Sequence, residues 1–572
     1  MAVRAFDADV RPQRKQTRSR WLGLLALVFV PLVLLPWLQR AYWFTDLPGQ
    51  PVNWGDWGVI RQLAFAEAAL CICVVLLGAA IWSAGKTDGI AERIVSNIER
   101  RTTWLTAFIF VAAVLFPMLA ARFVLDRFPN SGDEFSYLFQ AGTFAKFRMW
   151  EEPPILGTAL IPVRTWIFES KWVSQYPPGW PIMLSVGLLV GLPIWMMNAV
   201  IGGSSVAVIT ALCRRLGDRP TTVIAVALYT LTPFYVMNAA SYFSHVFSSL
   251  LILILCLCLP PDGQIPRTQY LVAAGAIIGL LAMTRYFDVL PLLPALLFWL
   301  ITYRPAAWSR LIGWMTAGFI PLLGLLMIYQ DMITGNPFRS TYFVINTPET
   351  FPSLEPSQII VGTKLISIRM TELVLWASPI LLIAYAGCLL LKFKDRRLAY
   401  YDLIFPSFVL AYISFTDLGG NRYGPRYYFD AFPLVIVTIV SAIPSVMARL
   451  DRPMGRAILP VASIACLLYL LGTWPLVLTG FRREVWSREE PFRLVAQARL
   501  KNAVVIQDTA TDWGLDPSDL VRNPPSMDAA VLYARSGTDI GALRKVFPER
   551  SIWRYSHPDP ARPGELVSQI SN

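Results

Sequence analysis

The residues best equipped for chemistry stand together in Phe128-Pro-Asn-Ser-Gly-Asp-Glu-Phe-Ser-Tyr137. Its adjacent carboxylates, Asp133 and Glu134, follow directly on an apolar run, where an ionised group is costly unless it faces a cavity or a cation. Functional use is therefore the default reading of the pair, which makes both candidate catalytic groups. The plainer alternative is helix capping. Ser131 or Asp133 would accept backbone N–H bonds at the head of a helix, with Glu134 favoured by its dipole. Downstream, Phe168-Glu-Ser-Lys-Trp172 and Gln175-Tyr-Pro-Pro-Gly-Trp-Pro181 add Glu169, Lys171 and Tyr176 to Tyr137 as candidate substrate contacts.

Cations stand further along the chain. The turn Gly419-Gly-Asn-Arg-Tyr-Gly-Pro-Arg-Tyr-Tyr-Phe-Asp430 sets Arg422 and Arg426 among glycines and aromatics, next to Tyr427. Guanidinium forks suit phosphate oxygens, and glycine lets backbone N–H groups approach an anion. Snorkelling to the membrane interface is the ordinary alternative for both arginines. Thr284-Arg-Tyr-Phe-Asp288 places Arg285 between two short apolar runs, where it either lines a cavity or forms an internal ion pair with Asp288. Of the two histidines, His245 begins an apolar run and is a further candidate contact. Tryptophans 150, 166, 172 and 180 suit the headgroup level, with stacking on a sugar as the sharper alternative.

These residues must be positioned by membrane-embedded elements. Of the 572 residues, 55% are hydrophobic and 15% charged, against about 25% charged in an ordinary soluble domain. A soluble enzyme, a disordered chain and a disulfide scaffold are thereby excluded. The net charge of +12 is scattered between hydrophobic runs rather than gathered on one polar face, which argues against nucleic acid as a partner. Cys71 and Cys73 sit two apart in an apolar helix and do not face each other. With only two histidines a multi-histidine metal site is excluded, and any divalent cation would need carboxylates.

Apolar runs of membrane-spanning length predict an all-α polytopic protein with about thirteen transmembrane helices. They fall near 21–38, 62–83, 104–122, 194–213, 221–241, 245–260, 270–285, 287–302, 311–330, 371–391, 399–416, 429–448 and 457–478. Lys and Arg concentrate on one side, in the N-terminus before residue 21 and in short loops such as Lys392-Phe-Lys-Asp-Arg-Arg397, which makes the N-terminus cytoplasmic. The chain then divides into a basic cytoplasmic segment 1–20, two extra spans in 21–103, a transmembrane core 104–478 with a large external loop 123–193, and an extracytoplasmic tail 479–572. Ile182 to Leu192 is about half a bilayer long and is expected as an interfacial or re-entrant helix. In the tail, Ala503–Ile506, Ala529–Tyr533 and Ser551–Tyr555 are expected strands and Ile540–Phe547 a short helix, a small α/β unit without a phosphate loop or nucleophile elbow.

Over roughly residues 104–450 the sequence resembles the polyprenyl-phosphate-sugar-dependent GT-C glycosyltransferases, the group containing protein O-mannosyltransferases and lipid A aminoarabinose transferases. The resemblance is carried by Asp133-Glu134-x-x-Tyr137, Tyr176-Pro-Pro178 before a short helix, and Arg214-Arg-Leu-Gly217. Gly424-Pro-Arg-Tyr427 is similar to a turn of bacterial members, including rhizobial galacturonosyltransferases. There are departures. The lipid A enzymes carry an acidic residue just before the prolines, where this chain has Gln175-Tyr176 and, as the nearest acid, Glu169. Ser241-Tyr-Phe-Ser-His245 stands where many members have an Asp.

The resemblance implies a GT-C-like fold and transfer of a sugar from a polyprenyl-phosphate carrier to a glycolipid, glycan or protein acceptor, at the outer face of what would be a bacterial inner membrane. It implies Asp133 as general base in an inverting displacement. Arg422 and Arg426, with Arg285, would meet the charge on the departing phosphate, and a divalent cation remains open. Rival readings are a transporter or flippase of a lipid-linked anion, a ligase using a polyprenyl-diphosphate glycan, and a non-catalytic scaffold for the tail. The first would favour internal repeats, and none is visible.

Overall fold

The structure is a computed structural model and describes residues 88–261, 263–342, 354–415, 423–449, 452–509, 520–557 and 563–569. The basic N-terminus, the expected spans 21–38 and 62–83, Cys71, Cys73 and Arg422 lie outside the described residues.

Most of the described chain is helical. Among the described residues four helices are long and apolar enough to cross a membrane: Thr102–Phe123, Ile194–Leu216, Pro305–Thr334 and Val461–Trp486. Two bent pairs raise this to six. Arg219–Thr230 and Pro233–Ala240 meet at 57°, and Pro356–Ala377 and Pro379–Lys394 at 114°. Shorter apolar helices occupy His245–Cys258, Thr268–Thr284, Tyr286–Ile301 and Pro433–Met447. The first bend is written in Thr232-Pro233: Thr232 caps the second helix by accepting from the Tyr235 N–H, and proline opens its first turn.

The expected single span 371–391 is corrected by the second bend. The chain is helical from Pro356 to Ala377, breaks at Ser378 with φ 90°, and restarts at Pro379. Pro379 lacks the N–H that would continue the ladder, so an apolar run that looks continuous by hydropathy contains a corner.

Pro433–Met447 is apolar all round and lies at the centre of the bundle, with Leu434, Val435, Ile436 and Val440 fully buried. Pro305–Thr334 instead turns Ile312, Ile320, Leu325 and Ile328 outward, as a lipid-facing helix would. It packs on Thr268–Thr284 through reciprocal small residues. A Cβ on Gly275 would fall 1.8 Å from the Met315 carbonyl oxygen, so the two backbones touch there.

At one end of the bundle lies an irregular layer from the loop after Thr102–Phe123. It holds the helix Gly132–Ala145, the antiparallel hairpin of β1 (Thr165–Phe168) and β2 (Lys171–Ser174), and the short helix Gly179–Leu189. The last is the expected half-bilayer helix. The hairpin was not anticipated.

The helix Arg452–Arg488 runs well past the expected end of its span at 478, so the chain after it enters the tail through helix Glu490–Gln497. The tail sheet has the order β4-β3-β5-β6, with β3 (Ala503–Thr509), β4 (Val531–Arg535), β5 (Ser551–His557) and β6 (Glu565–Ser568). β3 pairs in parallel with β4 and β5, and β6 closes the edge antiparallel to β5. Val504, Ile506, Leu532 and Ile552 bury one face with Leu543 of helix Ile540–Val546, and Leu160 from the external loop completes that cluster.

Candidate active site

Ser131 decides what the two acids do. It caps helix Gly132–Ala145, its hydroxyl oxygen accepting the Glu134 N–H at 3.2 Å, so the capping role does not fall to Asp133. Glu134 turns inward and is fully buried. Its carboxylate accepts the Ser131 hydroxyl at 3.2 Å, the Tyr242 N–H at 2.9 Å and the Tyr423 hydroxyl at 3.3 Å. It thus ties the head of this helix to the segment before His245 and to the turn that carries Arg426. Asp133, one residue earlier, points the other way into a cavity of about 240 Å³.

The cavity brings together most of the residues singled out from the sequence: Asp133, Tyr137, Tyr176, His245, Arg285, Arg426 and Tyr427. Asp133 Oδ2 lies 3.3 Å from Arg426 Nη2, and Oδ1 lies 3.3 Å from Arg164 Nε. The carboxylate thus stands between two cations. Arg426 comes from a turn in which Tyr423 and Gly424 both have positive φ, 78° and 74°. The Tyr423 carbonyl accepts from Asn238 Nδ2 at 2.9 Å, and the guanidinium lies 4.0 Å over the Phe243 ring.

Four residues on from Asp133, Tyr137 shares its helix face and stands with its ring 4.5 Å from that of Tyr176. Burial pushes both phenols above their ordinary pKa, against the Arg285 charge at Tyr137 and together with the Asp133 charge at Tyr176. At neutral pH they are therefore hydrogen-bonding walls rather than bases. Tyr176 is brought there by Gly179. A Cβ on Gly179 would meet Thr284 Oγ1 at 2.7 Å and the Met283 carbonyl at 2.9 Å, so only glycine lets the Tyr-Pro-Pro element close onto the end of the helix that presents Arg285.

Arg285 is both cavity wall and ion pair, which joins the two alternatives raised by the sequence. Its Nε bonds Asp288 at 2.9 Å, Nη2 donates to the Tyr412 hydroxyl at 3.2 Å, and Nη1 faces His245 Nε2 at 3.4 Å. His245 Nδ1 lies 2.7 Å from Asp430 Oδ2. A guanidinium donor facing Nε2 leaves Nδ1 as the ring atom that shares a hydrogen bond with Asp430. Tyr412 stacks on Tyr427 at 4.7 Å with the rings 6° apart. A buried set of Asp288, Asp430, His245 and Tyr412 thus fixes Arg285 in place.

Besides Glu134, which is buried in the framework behind it, two candidates are not brought to the cavity. Glu169 is exposed at the tip of the β1–β2 hairpin, and Lys171 donates to the Met332 carbonyl at 2.8 Å, anchoring the hairpin to helix Pro305–Thr334. Conversely Arg164, Phe243, Tyr412 and Asp430 were not picked out. Arg164 carries no local signal. It meets Asp133 because the hairpin folds back across the helix, with Ser136 Oγ donating to the Arg164 carbonyl at 2.6 Å.

Among the described residues no three His, Cys, Asp or Glu side chains converge as metal ligands. Asp133 is the cavity's carboxylate, and its two oxygens face guanidinium groups. Among the described residues such a donor set does not fit a divalent cation, because two guanidinium groups compete for the one carboxylate that lines the cavity.

Residues 176–329 match the family model described as dolichyl-phosphate-mannose-protein mannosyltransferase. Among solved structures, ArnT from Cupriavidus metallidurans bound to undecaprenyl phosphate superposes with a TM-score of 0.50 at 13% identity, covering 82% of this chain and 98% of that one. The oligosaccharyltransferase of Archaeoglobus fulgidus, tethered to an acceptor peptide, aligns at 13% identity over 75% of this chain and 64% of that one, with a TM-score of 0.45. No curated protein sequence matches the chain. The chain therefore has the fold of the GT-C membrane glycosyltransferases, as its Asp-Glu, Tyr-Pro-Pro and Gly-Pro-Arg-Tyr motifs led us to expect.

Proposed function

We propose that this protein transfers a sugar from a polyprenyl-phosphate carrier to an acceptor hydroxyl on a glycolipid, glycan or protein at the extracytoplasmic face, with inversion. One observation carries the reading: Asp133, the one carboxylate among the described residues lining it, shares an aromatic-walled cavity with Arg285 and Arg426. The bilayer would be the inner membrane of a bacterium, with the tail outside. That ArnT was solved with undecaprenyl phosphate bound supports a carrier of this kind.

In the reaction the acceptor oxygen attacks the anomeric carbon, the bond from that carbon to the phosphate oxygen breaks, and the acceptor proton passes to Asp133. The products are the glycosylated acceptor and free polyprenyl phosphate. A carboxylate between two cations is a weak ground-state base, and it takes the proton only as the new bond makes the acceptor oxygen acidic. The departing phosphate gains charge as the carboxylate loses it. As Asp133 takes up the proton, its ion-pair partner Arg426 becomes available to the phosphate. Arg285, preorganised by Asp288 and Tyr412, is already in place to stabilise it. Tyr137, Tyr176 and Tyr427 offer ring faces to the sugar. Glu134 acts through the framework by holding the Asp133 helix and the Arg426 turn in register. Arg422 would add a further cation to that turn, and Glu169 and Lys171 would contact an acceptor only at the loop's outer edge.

The test is release of free polyprenyl phosphate from a panel of undecaprenyl-phosphate-linked sugars, with membrane glycolipid extract as acceptor. Asp133→Asn should lower turnover by ~100-fold or more, the scale of a lost general base. An unimpaired variant would remove Asp133 from the chemistry. A wild type that consumes no donor would favour transport of a lipid-linked anion.

A further inference from the structure

We infer that the C-terminal segment is not an appendage but a part of the site, holding the main chain on both sides of Asp133 in its working geometry. Its side chains reach back to backbone carbonyls that lie just before Asp133, which lines the cavity, and just before Arg164, its ion-pair partner. Arg522 donates to the Pro129 carbonyl at 2.7 Å, with its guanidinium 3.9 Å over the Phe128 ring. Arg488, buried, donates to the Asn130 carbonyl. Those carbonyls precede Asp133 by three or four residues. Arg535 donates through Nε and Nη2 to the Ile161 carbonyl at 3.1 and 3.0 Å, and Asn523 Nδ2 to the Leu160 carbonyl at 2.8 Å, three and four residues before Arg164. The Leu160 side chain is fully buried in the core of the tail sheet.

The same stretches carry strained backbone. Asp126 and Arg127 have φ of 50° and 59°, and Arg164 has φ of 65°. Non-glycine residues in this region persist only where their surroundings over-determine them. The C-terminal donors supply that constraint, joined by Arg482, which bonds the Phe123 carbonyl at 3.2 Å and the Asp126 carboxylate. Arg522 and Arg535 are accordingly positioning residues. They never touch substrate, and they set where Asp133 and Arg164 stand.

A shift of about 1 Å in a catalytic group costs on the order of 100-fold in rate, so the effect should appear in kcat rather than KM. The experiment uses the full chain in lipid nanodiscs and compares Arg522→Met, Arg535→Met, their Lys counterparts and Arg544→Met, a tail control that bonds only within the tail region at Gln569. Hydrogen exchange should quicken by ~10-fold in 131–145 for Arg522→Met and in 164–175 for Arg535→Met, while 197–216 and the control stay at wild-type rates. Turnover of an undecaprenyl-phosphate sugar should fall by ~10- to 100-fold with KM changed by less than ~3-fold, and Lys should restore part of it. Wild-type exchange and kcat in folded Met variants would overturn the inference, as would faster loop exchange with unchanged kcat. Only the kinetic half rests on the transferase reading. If wild type consumes no donor, that reading fails, and exchange in the two loop segments decides the positioning alone.

Discussion

Asp133 and Glu134 are chemically equivalent neighbours with opposite fates, and the difference is one of direction on a helix. Successive residues point about 100° apart, so when one carboxylate faces the cavity the next faces the packed interior. Replacing Glu134 by Ala leaves the buried Tyr242 N–H and Tyr423 hydroxyl without that acceptor. A loss of about 1–3 kcal/mol in stability follows for an orphaned buried group. Thermal unfolding in detergent should register it, with the donor KM of the surviving enzyme near wild type. A variant that kept full stability while losing turnover would instead place Glu134 in the chemistry. Arg285 shows the complementary case: a residue between two apolar runs is a site residue because Asp288, Tyr412 and His245 hold it at the cavity wall.

At the scale of elements, the site depends on breaks rather than on regular helices. Arg426 lies in a turn, Arg285 at the end of the helix Thr268–Thr284, Asp133 in the first turn after Ser131, and Tyr176 just before a helix of half-bilayer length. The close approach at Gly179 locks two of these ends together. Gly179→Ala would force a methyl group against the Met283 and Thr284 backbone and side chain, where no flexible atom can yield. Overpacking of this kind costs roughly 1–3 kcal/mol and displaces Tyr176 from Tyr137. Expression with normal stability but reduced donor affinity would still fit that displacement. Unchanged stability and unchanged kinetics would show that the contact relaxes without consequence.

Over the whole molecule, the cavity is lined by the helical bundle and the loop layer, and the tail reaches it only through the backbone of that layer. The cations gathered there make a specific forecast about ligand linkage. Undecaprenyl phosphate at about 100 times its Kd should stabilise the folded protein by roughly 2.7 kcal/mol. In a thermal-shift assay the gain should shrink in Arg285→Met and in Arg426→Met, while undecaprenol, which lacks the phosphate, should give little of it. Equal stabilisation by the alcohol and the phosphate would mean that the lipid tail alone is recognised and the arginines serve another end.

The sequence by itself determined the membrane character, the order of most of the apolar helices and many of the polar residues that line the cavity, because hydropathy and charge are local properties that a bilayer reads directly. It carried Asp133, Arg285, Arg426 and Tyr176 because an ion or a Tyr-Pro-Pro element beside an apolar run is conspicuous on its own. Tertiary structure alone decided the rest. The corner at Ser378 hid inside a continuous apolar stretch. Arg164 became a partner of Asp133 only through a hairpin whose strands were too short to be legible. Glu169 and Lys171, polar and promising in the linear text, were carried to the outer edge by that same hairpin. The grip of Arg522 and Arg535 on the loop that bears Asp133 and Arg164 spans more than 370 residues of chain. Local pattern encodes which face of an element is apolar. Which distant carbonyl an arginine will find is settled only when the elements pack.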